Sequence, residues 1–163
     1  MLIAVIADNS HIRVRFEGDG GVHFAAPIAT EPQQTDFYYA CMLEQLFALC
    51  GVEKERIEGV VLGSVVPQLT HALMGALSWV TCKRPLNVSS GVKTGLNIRS
   101  DQPQQVGADR VAAAVAAKAR GKLPCVVVDC GAATTFTVLD QDGALVASAI
   151  TAGVRMSLDA LHA

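Results

Sequence analysis

Charge is scarce in this chain. Asp, Glu, Lys and Arg make up 17% of its 163 residues and the net charge is −2 at pH 7, where an average soluble domain has about a quarter charged residues. That balance exerts no pull toward nucleic acid or an anionic membrane, and no basic run with interleaved aromatics supplies one locally. Aromatics are few as well, at 5%. The longest nearly apolar stretches, residues 73–80 and 111–119, fall well short of the roughly 20 residues that cross a bilayer. The opening MLIAVIADNS has no basic leader, and its apolar run is too short for a signal peptide. The expectation is a soluble, cytoplasmic protein. Of the five cysteines, Cys41, Cys50, Cys82, Cys125 and Cys130, none forms a CxxC pair and no His stands at zinc-ligand spacing. They lie inside apolar segments and read as buried small hydrophobes in a reducing compartment.

What is abundant is apolar residue, at 51%, with a mean hydropathy of +0.36. So large a fraction implies apolar surface covered by a partner copy or by a further segment. The periodicity predicts strands at 2–7, 11–17 and 22–28, with Gly18-Asp19-Gly20-Gly21 as a hairpin turn. A helix capped by Thr35 and Asp36 runs to about 50 and closes at Gly51. A buried strand at 57–65, an apolar helix at 67–80 and a brief strand at 86–88 follow. Residues 89–106 form a long loop, which in a compact domain is more often functional than idle. An Ala-rich helix spans 108–121. The order then restarts, with strands at 125–129, 134–139 and 144–151, a turn at 140–143 and a helix at 156–162.

That restart is an internal repeat. An offset of 123 (129 − 6 = 123) places Phe16 on Leu139, Asp19 on Asp142, Gly20 on Gly143 and Val22 on Leu145. A duplicated βββα unit is the architecture of two-lobed phosphoryl-transfer folds, in which each lobe aims its first hairpin at nucleotide phosphates. The expected fold is therefore α/β: an actin-like, ribonuclease H-like βββαβα lobe over residues 1–121, then the start of a second copy over 122–163. The second copy reads as unfinished, since an α/β domain needs on the order of 100 residues.

Three stretches carry a family resemblance. They are Gly91-Val92-Lys93-Thr94-Gly95-Leu96-Asn97-Ile98-Arg99 with Gly107-Ala108-Asp109-Arg110, then Val128-Asp129-Cys130-Gly131-Ala132-Ala133-Thr134-Thr135-Phe136, and Ser64-Val65-Val66-Pro67 with the following Leu69-Thr70-His71-Ala72-Leu73. In wording, order and spacing the chain resembles the N-terminal part of the type III pantothenate kinases. The resemblance implies ATP-dependent phosphorylation of pantothenate, the first step of coenzyme A biosynthesis, by a homodimer. It assigns Asp109 as proton acceptor, and Gly107, Ala108 and Arg110 with Asp109 as the pantothenate site. Asn9, Ser10, Gly131 and Thr134 would face ATP and its magnesium, with Thr135 a further hydroxyl. Asp129 would hold a monovalent cation such as potassium. The residue types suit these roles: a carboxylate takes a hydroxyl proton, a guanidinium matches a carboxylate, and glycine lets backbone approach phosphate.

Four positions depart from that pattern. The family's D-x-G-N-[ST] hairpin reads Ile6-Ala7-Asp8-Asn9-Ser10 here, so the aspartate is Ile6 and the glycine is Asp8. Ser100 stands where a substrate-contacting tyrosine is usual, and Ala132 where an ATP-contacting threonine is usual. The repeat pairs Ile6 with Asp129 and Asp8 with Gly131, so the first copy lacks both features that the second keeps. Three readings stay open: a pantothenate kinase impaired in turnover, a non-catalytic relative that binds or regulates, and an inactive gene fragment.

Overall fold

The computed structural model describes residues 1–18, 21–24 and 27–162. Asp19 and Gly20 of the expected turn, and residues 25 and 26 of the expected third strand, lie outside the described residues. The chain divides into two compact units, Met1–Val88 and Ser89–Ala163.

The first unit contains strands β1 (Leu2–Ala7), β2 (His11–Gly18), β3 (Gly21–Phe24) and β4 (Ile28–Ala29), helix α1 (Asp36–Leu49), strand β5 (Gly59–Ser64), helix α2 (Pro67–Thr81) and strand β6 (Leu86–Asn87). Its sheet runs β3-β2-β1-β5-β6, with β4 pairing to β2. Short connections make β1-β2-β3 antiparallel, while the crossovers through α1 and α2 bring β5 and β6 back parallel to β1. Alternation puts Ile3, Val5 and Ala7 of β1, and Ile12, Val14 and Phe16 of β2, on one buried face. Against it pack Tyr39, Leu43 and Phe47 of α1 and Leu69, Leu73 and Leu77 of α2, with the Phe16 and Phe47 rings edge to face at 5.4 Å. The Thr35 hydroxyl accepts the Tyr38 amide at the start of α1, and Gly51 takes the left-handed turn beyond its end at φ +64°, both as the sequence predicts.

The same alternation turns Ile6 away from the core, leaving it 43% exposed. Truncating a buried isoleucine costs about 2–5 kcal/mol. Ile6→Asp should instead change stability by about 1 kcal/mol or less. A urea unfolding midpoint close to that of the unmodified chain checks this.

The second unit contains helix α3 (Ala108–Ala119), strands β7 (Cys125–Cys130), β8 (Ala133–Leu139) and β9 (Leu145–Ala152), and helix α4 (Val154–His162). The strands form an antiparallel meander, β7-β8-β9. The division at 88/89 differs from the expected boundary at 121, because the long loop and α3 are bonded forward into this sheet. The Arg99 amide donates to the Leu145 carbonyl and the Leu145 amide to that of Asn97, both at 2.8 Å, while α3 packs on β7 and β8.

The two meanders repeat one another with one correction. Val126 pairs with Val138 as Ile3 pairs with Phe16, so the offset is 123 on the first strand (126 − 3) and 122 on the second (138 − 16). Phe16 thus corresponds by register to Val138 rather than Leu139. The β7–β8 connection is one residue shorter, and a bulge between Val138 and Leu139 follows. In the second copy the face carrying Val126, Val128 and Phe136 is exposed, whereas the matching Ile3 and Val5 of β1 and Val14 of β2 are buried in the first unit's core.

The cysteines also differ from expectation. Cys41, Cys50, Cys82 and Cys130 are exposed and Cys125 is half-buried. Cys50 and Cys82 are the C-terminal caps of α1 and α2, and Cys130 ends β7. An apolar sequence neighbourhood does not bury a residue at the end of an element.

Candidate active site

Gly107 precedes α3 in extended conformation (φ −62°, ψ 155°). Having no side chain, it cannot cap the helix, so the first-turn amides stay open to other acceptors. Asp109 stands in that first turn, where the helix dipole favours negative charge. The next residue, Arg110, is held from two sides: Nη1 donates to Ser148 Oγ on β9 and Nη2 to the Gln105 carbonyl, both at 2.9 Å.

Arg110 lines a cleft of about 560 Å³ with Ser100, Gln102, Gln105, Ser148 and Ile150. Three side-chain atoms in this region are buried without a hydrogen-bond partner: Asp109 Oδ1, Arg110 Nε and Ser100 Oγ. A buried polar atom left unpaired costs about 1–3 kcal/mol. An acceptor, a donor and a hydroxyl left so within a dozen residues mark a place built for a polar ligand. Arg110 Nε suits an anionic or carbonyl oxygen, and Asp109 Oδ1 suits a hydroxyl. Of the four residues expected to hold pantothenate, Arg110 lines the cleft and Asp109 shares its helical turn, while Gly107 and Ala108 supply backbone at the helix start.

The Gly91–Arg99 stretch acts here as scaffold. Ile98 bridges Leu145 at the start of β9, Arg99 forms an ion pair with Asp140 at 3.1 Å, and Lys118 Nζ of α3 donates to the Gly95 carbonyl at 2.9 Å. These ties anchor the segment that carries Ser100, Gln102 and Gln105 to the cleft.

The second hairpin brings Asp129, Gly131 and Thr134 together. Asp129 is exposed, opposite Thr135 in the register. Thr134 and Thr135 are buried, and the Gly131 amide donates to the Ala133 carbonyl at 3.0 Å. Among the described residues no group of three His, Cys, Asp or Glu could hold a metal ion, so Asp129 offers a cation a single carboxylate. Gly153 presses against this loop. A Cβ there would lie 2.2 Å from the Ala132 carbonyl oxygen and 2.7 Å from that of Gly131. Gly153, Ser148 and Gln105 are the site residues that sequence reasoning missed. Gly153 carried a signal as a glycine at a strand-to-helix junction and Gln105 as part of the long 89–106 loop, whereas Ser148 carried none.

Asn9 and Ser10 lie on the β1–β2 hairpin of the other unit, where several donors already converge on Asp8. Asp8 Oδ1 accepts the amides of Ser10 at 2.7 Å and His11 at 2.8 Å, and Arg13 Nη1 donates to Asp8 Oδ2 at 2.8 Å. Burial raises the carboxyl's pKa, but the two amides and the guanidinium outweigh it and hold it below its ordinary value. A depressed carboxylate pKa stabilises the fold at all pH above the ordinary Asp range, and that stabilisation is lost as pH falls through the lowered value. An incoming phosphate would have to displace the Asp8 carboxylate from these donors, and Ile6 offers no ligand to magnesium.

A meander returning through helices to a parallel pair, followed by a second meander, is the actin-like fold. Solved structures with that fold align along nearly the whole chain. The ethanolamine utilization protein EutJ from Carboxydothermus hydrogenoformans has a TM-score of 0.51 at 15% identity, covering 98% of this chain and 55% of that one. A Ppx/GppA phosphatase of Aquifex aeolicus has a TM-score of 0.54 at 11% identity, covering 98% and 54%. Likeness at such identity defines the fold alone.

Sequence defines the family more closely. Residues 2–163 match the type III pantothenate kinase family, and the chain belongs to it. Curated relatives named type III pantothenate kinase include those of Bifidobacterium adolescentis, 34% identical over 99% of this chain, and Moorella thermoacetica, 36% identical over 100% of this chain. The relative from Anaeromyxobacter sp. (strain K) is 37% identical over 99%. The chain spans 63–64% of the length of these relatives.

Proposed function

We propose that this chain binds pantothenate in the Arg110 cleft and presents Asp109 to its primary hydroxyl for phosphorylation by ATP, the entry to coenzyme A biosynthesis. The observation that carries the reading is the set of buried, unpartnered polar atoms, Asp109 Oδ1, Arg110 Nε and Ser100 Oγ. Arg110 pairs with the pantothenate carboxylate through its free Nε, and Asp109 accepts the hydroxyl proton. The hydroxyl oxygen then bonds to the γ-phosphorus as the bond to the β–γ bridging oxygen breaks, and ADP leaves. Gly131 and Thr134, with Asn9 and Ser10, are the residues proposed to face the nucleotide. ATP brings magnesium, and Asp129 supplies one oxygen ligand to potassium, a role suited to a hard carboxylate. We place the protein in the cytoplasm, where five free cysteines are at home, as a homodimer, a state that its exposed Val126, Val128 and Phe136 favour. No helix among the described residues is long and apolar enough to cross a membrane.

The engaged β1–β2 loop favours a second reading, a relative that binds pantothenate without turning it over. A coupled ADP-release assay with pantothenate and ATP, with and without potassium, separates the two, while calorimetry tests the shared claim. Pantothenate should bind the unmodified chain and bind Arg110→Ala about tenfold or more weakly, since a charged hydrogen bond is worth roughly 1.5–3 kcal/mol. Equal affinity in both proteins would remove the cleft from the proposal.

A further inference from the structure

In the β1–β2 hairpin, three donors converge on one side chain. The amides of Ser10 and His11, one residue apart, both point at Asp8 Oδ1 at 2.7 and 2.8 Å, and the Arg13 guanidinium takes Oδ2 at 2.8 Å. The loop is tightly formed around them. The Asp8 amide donates to the His11 carbonyl at 2.9 Å, and the Thr30 hydroxyl donates to the Asp8 carbonyl at 2.7 Å. The Asp8 side chain is 18% exposed, so most of it lies inside the loop. Adjacent backbone amides aimed at one point, with a guanidinium beside them, are the donor set that recognises a phosphoryl oxygen.

We propose that this hairpin is an anion-binding loop occupied by its own anion, and that Asp8 thereby sets its specificity against phosphate. The inference rests on reading the hairpin as the phosphate-facing element of a kinase fold. The carboxylate satisfies both amides and pairs with Arg13, so an incoming phosphate finds these three donors taken and meets a negative charge of its own sign. Removing the side chain frees the donors without altering the Arg110 cleft, which belongs to the other compact unit. The loop then accepts a phosphate-bearing ligand of the polyphosphate class.

The test uses the ¹⁵N-labelled 163-residue chain titrated with inorganic tripolyphosphate. The unmodified chain should bind weakly, with little movement of the Ser10 and His11 amide resonances. Asp8→Gly should bind about tenfold or more tightly, the scale set by removing one like charge at contact distance, and both resonances should follow the binding curve. Asp8→Asn keeps the side chain's shape while removing its charge, so it should gain less. Adding Arg13→Ala to Asp8→Gly should reverse most of the gain. Resonances that move as far in the unmodified chain as in Asp8→Gly would overturn self-occupancy and leave the phosphate-loop reading standing. Tighter binding that shifts other residues but neither of these amides would overturn the phosphate-loop reading itself. No gain in two variants whose spectra retain native dispersion would overturn the proposal.

Discussion

Asp109→Asn is expected to lower turnover of pantothenate by about 10²–10⁴-fold, the usual contribution of a positioned general base. The amide keeps the size of the carboxylate and can still accept a hydrogen bond from the substrate hydroxyl. It cannot take the proton. KM should therefore change much less than kcat, and that split separates loss of a base from loss of a binding contact. Stability should change by about 1 kcal/mol or less, because Asp109 Oδ1 is buried without a partner, so no hydrogen bond is lost, while the favourable charge at the helix start is given up. Steady-state kinetics and a thermal melt on the same preparation check both halves. Turnover equal to that of the unmodified chain would remove Asp109 from the mechanism. Where turnover is below detection in both proteins, calorimetry with pantothenate replaces the kinetics, and affinities should agree within about tenfold, because both side chains offer an acceptor.

Gly153→Ala should be the most disruptive single-methyl change in the second unit. The added Cβ would sit 2.2 Å from the Ala132 carbonyl oxygen and 2.7 Å from that of Gly131. Real Cβ atoms do not approach so closely, and the obstacle is backbone, which cannot step aside as a flexible side chain does. Either the β7–β8 loop moves or the β9–α4 junction does. The Gly153 carbonyl also accepts the Ser157 amide, so a shift at the junction loosens the start of α4. Overpacking of this kind costs about 1–3 kcal/mol and occasionally more. The amide resonances of Cys130 to Ala133 should move, and with them the loop that carries Gly131. Gly131→Ala is the control, since a Cβ there meets only the Ala133 carbonyl oxygen at 3.6 Å and should cost far less. Denaturation midpoints that coincide for the two variants would show that the contact at Gly153 is not tight.

The elements that the sequence made legible are those whose determinants are local. The strand at 2–7 is a short apolar run, the one at 11–17 alternates cleanly, and Thr35 and Gly51 carry cap chemistry, so β1, β2 and α1 lie where pattern and capping put them. The doubled meander was readable for the same reason, though the shorter β7–β8 connection slides the second strand by one residue. Asp109 and Arg110 were legible only through the wording Gly107-Ala108-Asp109-Arg110. As bare residues they are an ordinary acid and base at a helix start. Ser148, which holds Arg110 from β9, had no signal, because 38 residues separate the two and no local periodicity encodes their meeting.

By itself, then, the sequence determined the order of elements, the buried face of β2, and the substitution of Ile6 and Asp8 in a hairpin that otherwise keeps Asn9 and Ser10. These follow from chirality, side-chain period and composition within a few residues. Tertiary structure decided that the 89–107 segment and α3 belong with the second meander, that Gly153 abuts the Gly131–Ala132 carbonyls, and that the Asp8 carboxylate folds back onto its own loop. Each of these depends on where a backbone amide or carbonyl points once strands are paired. A pattern of residue types carries no such direction.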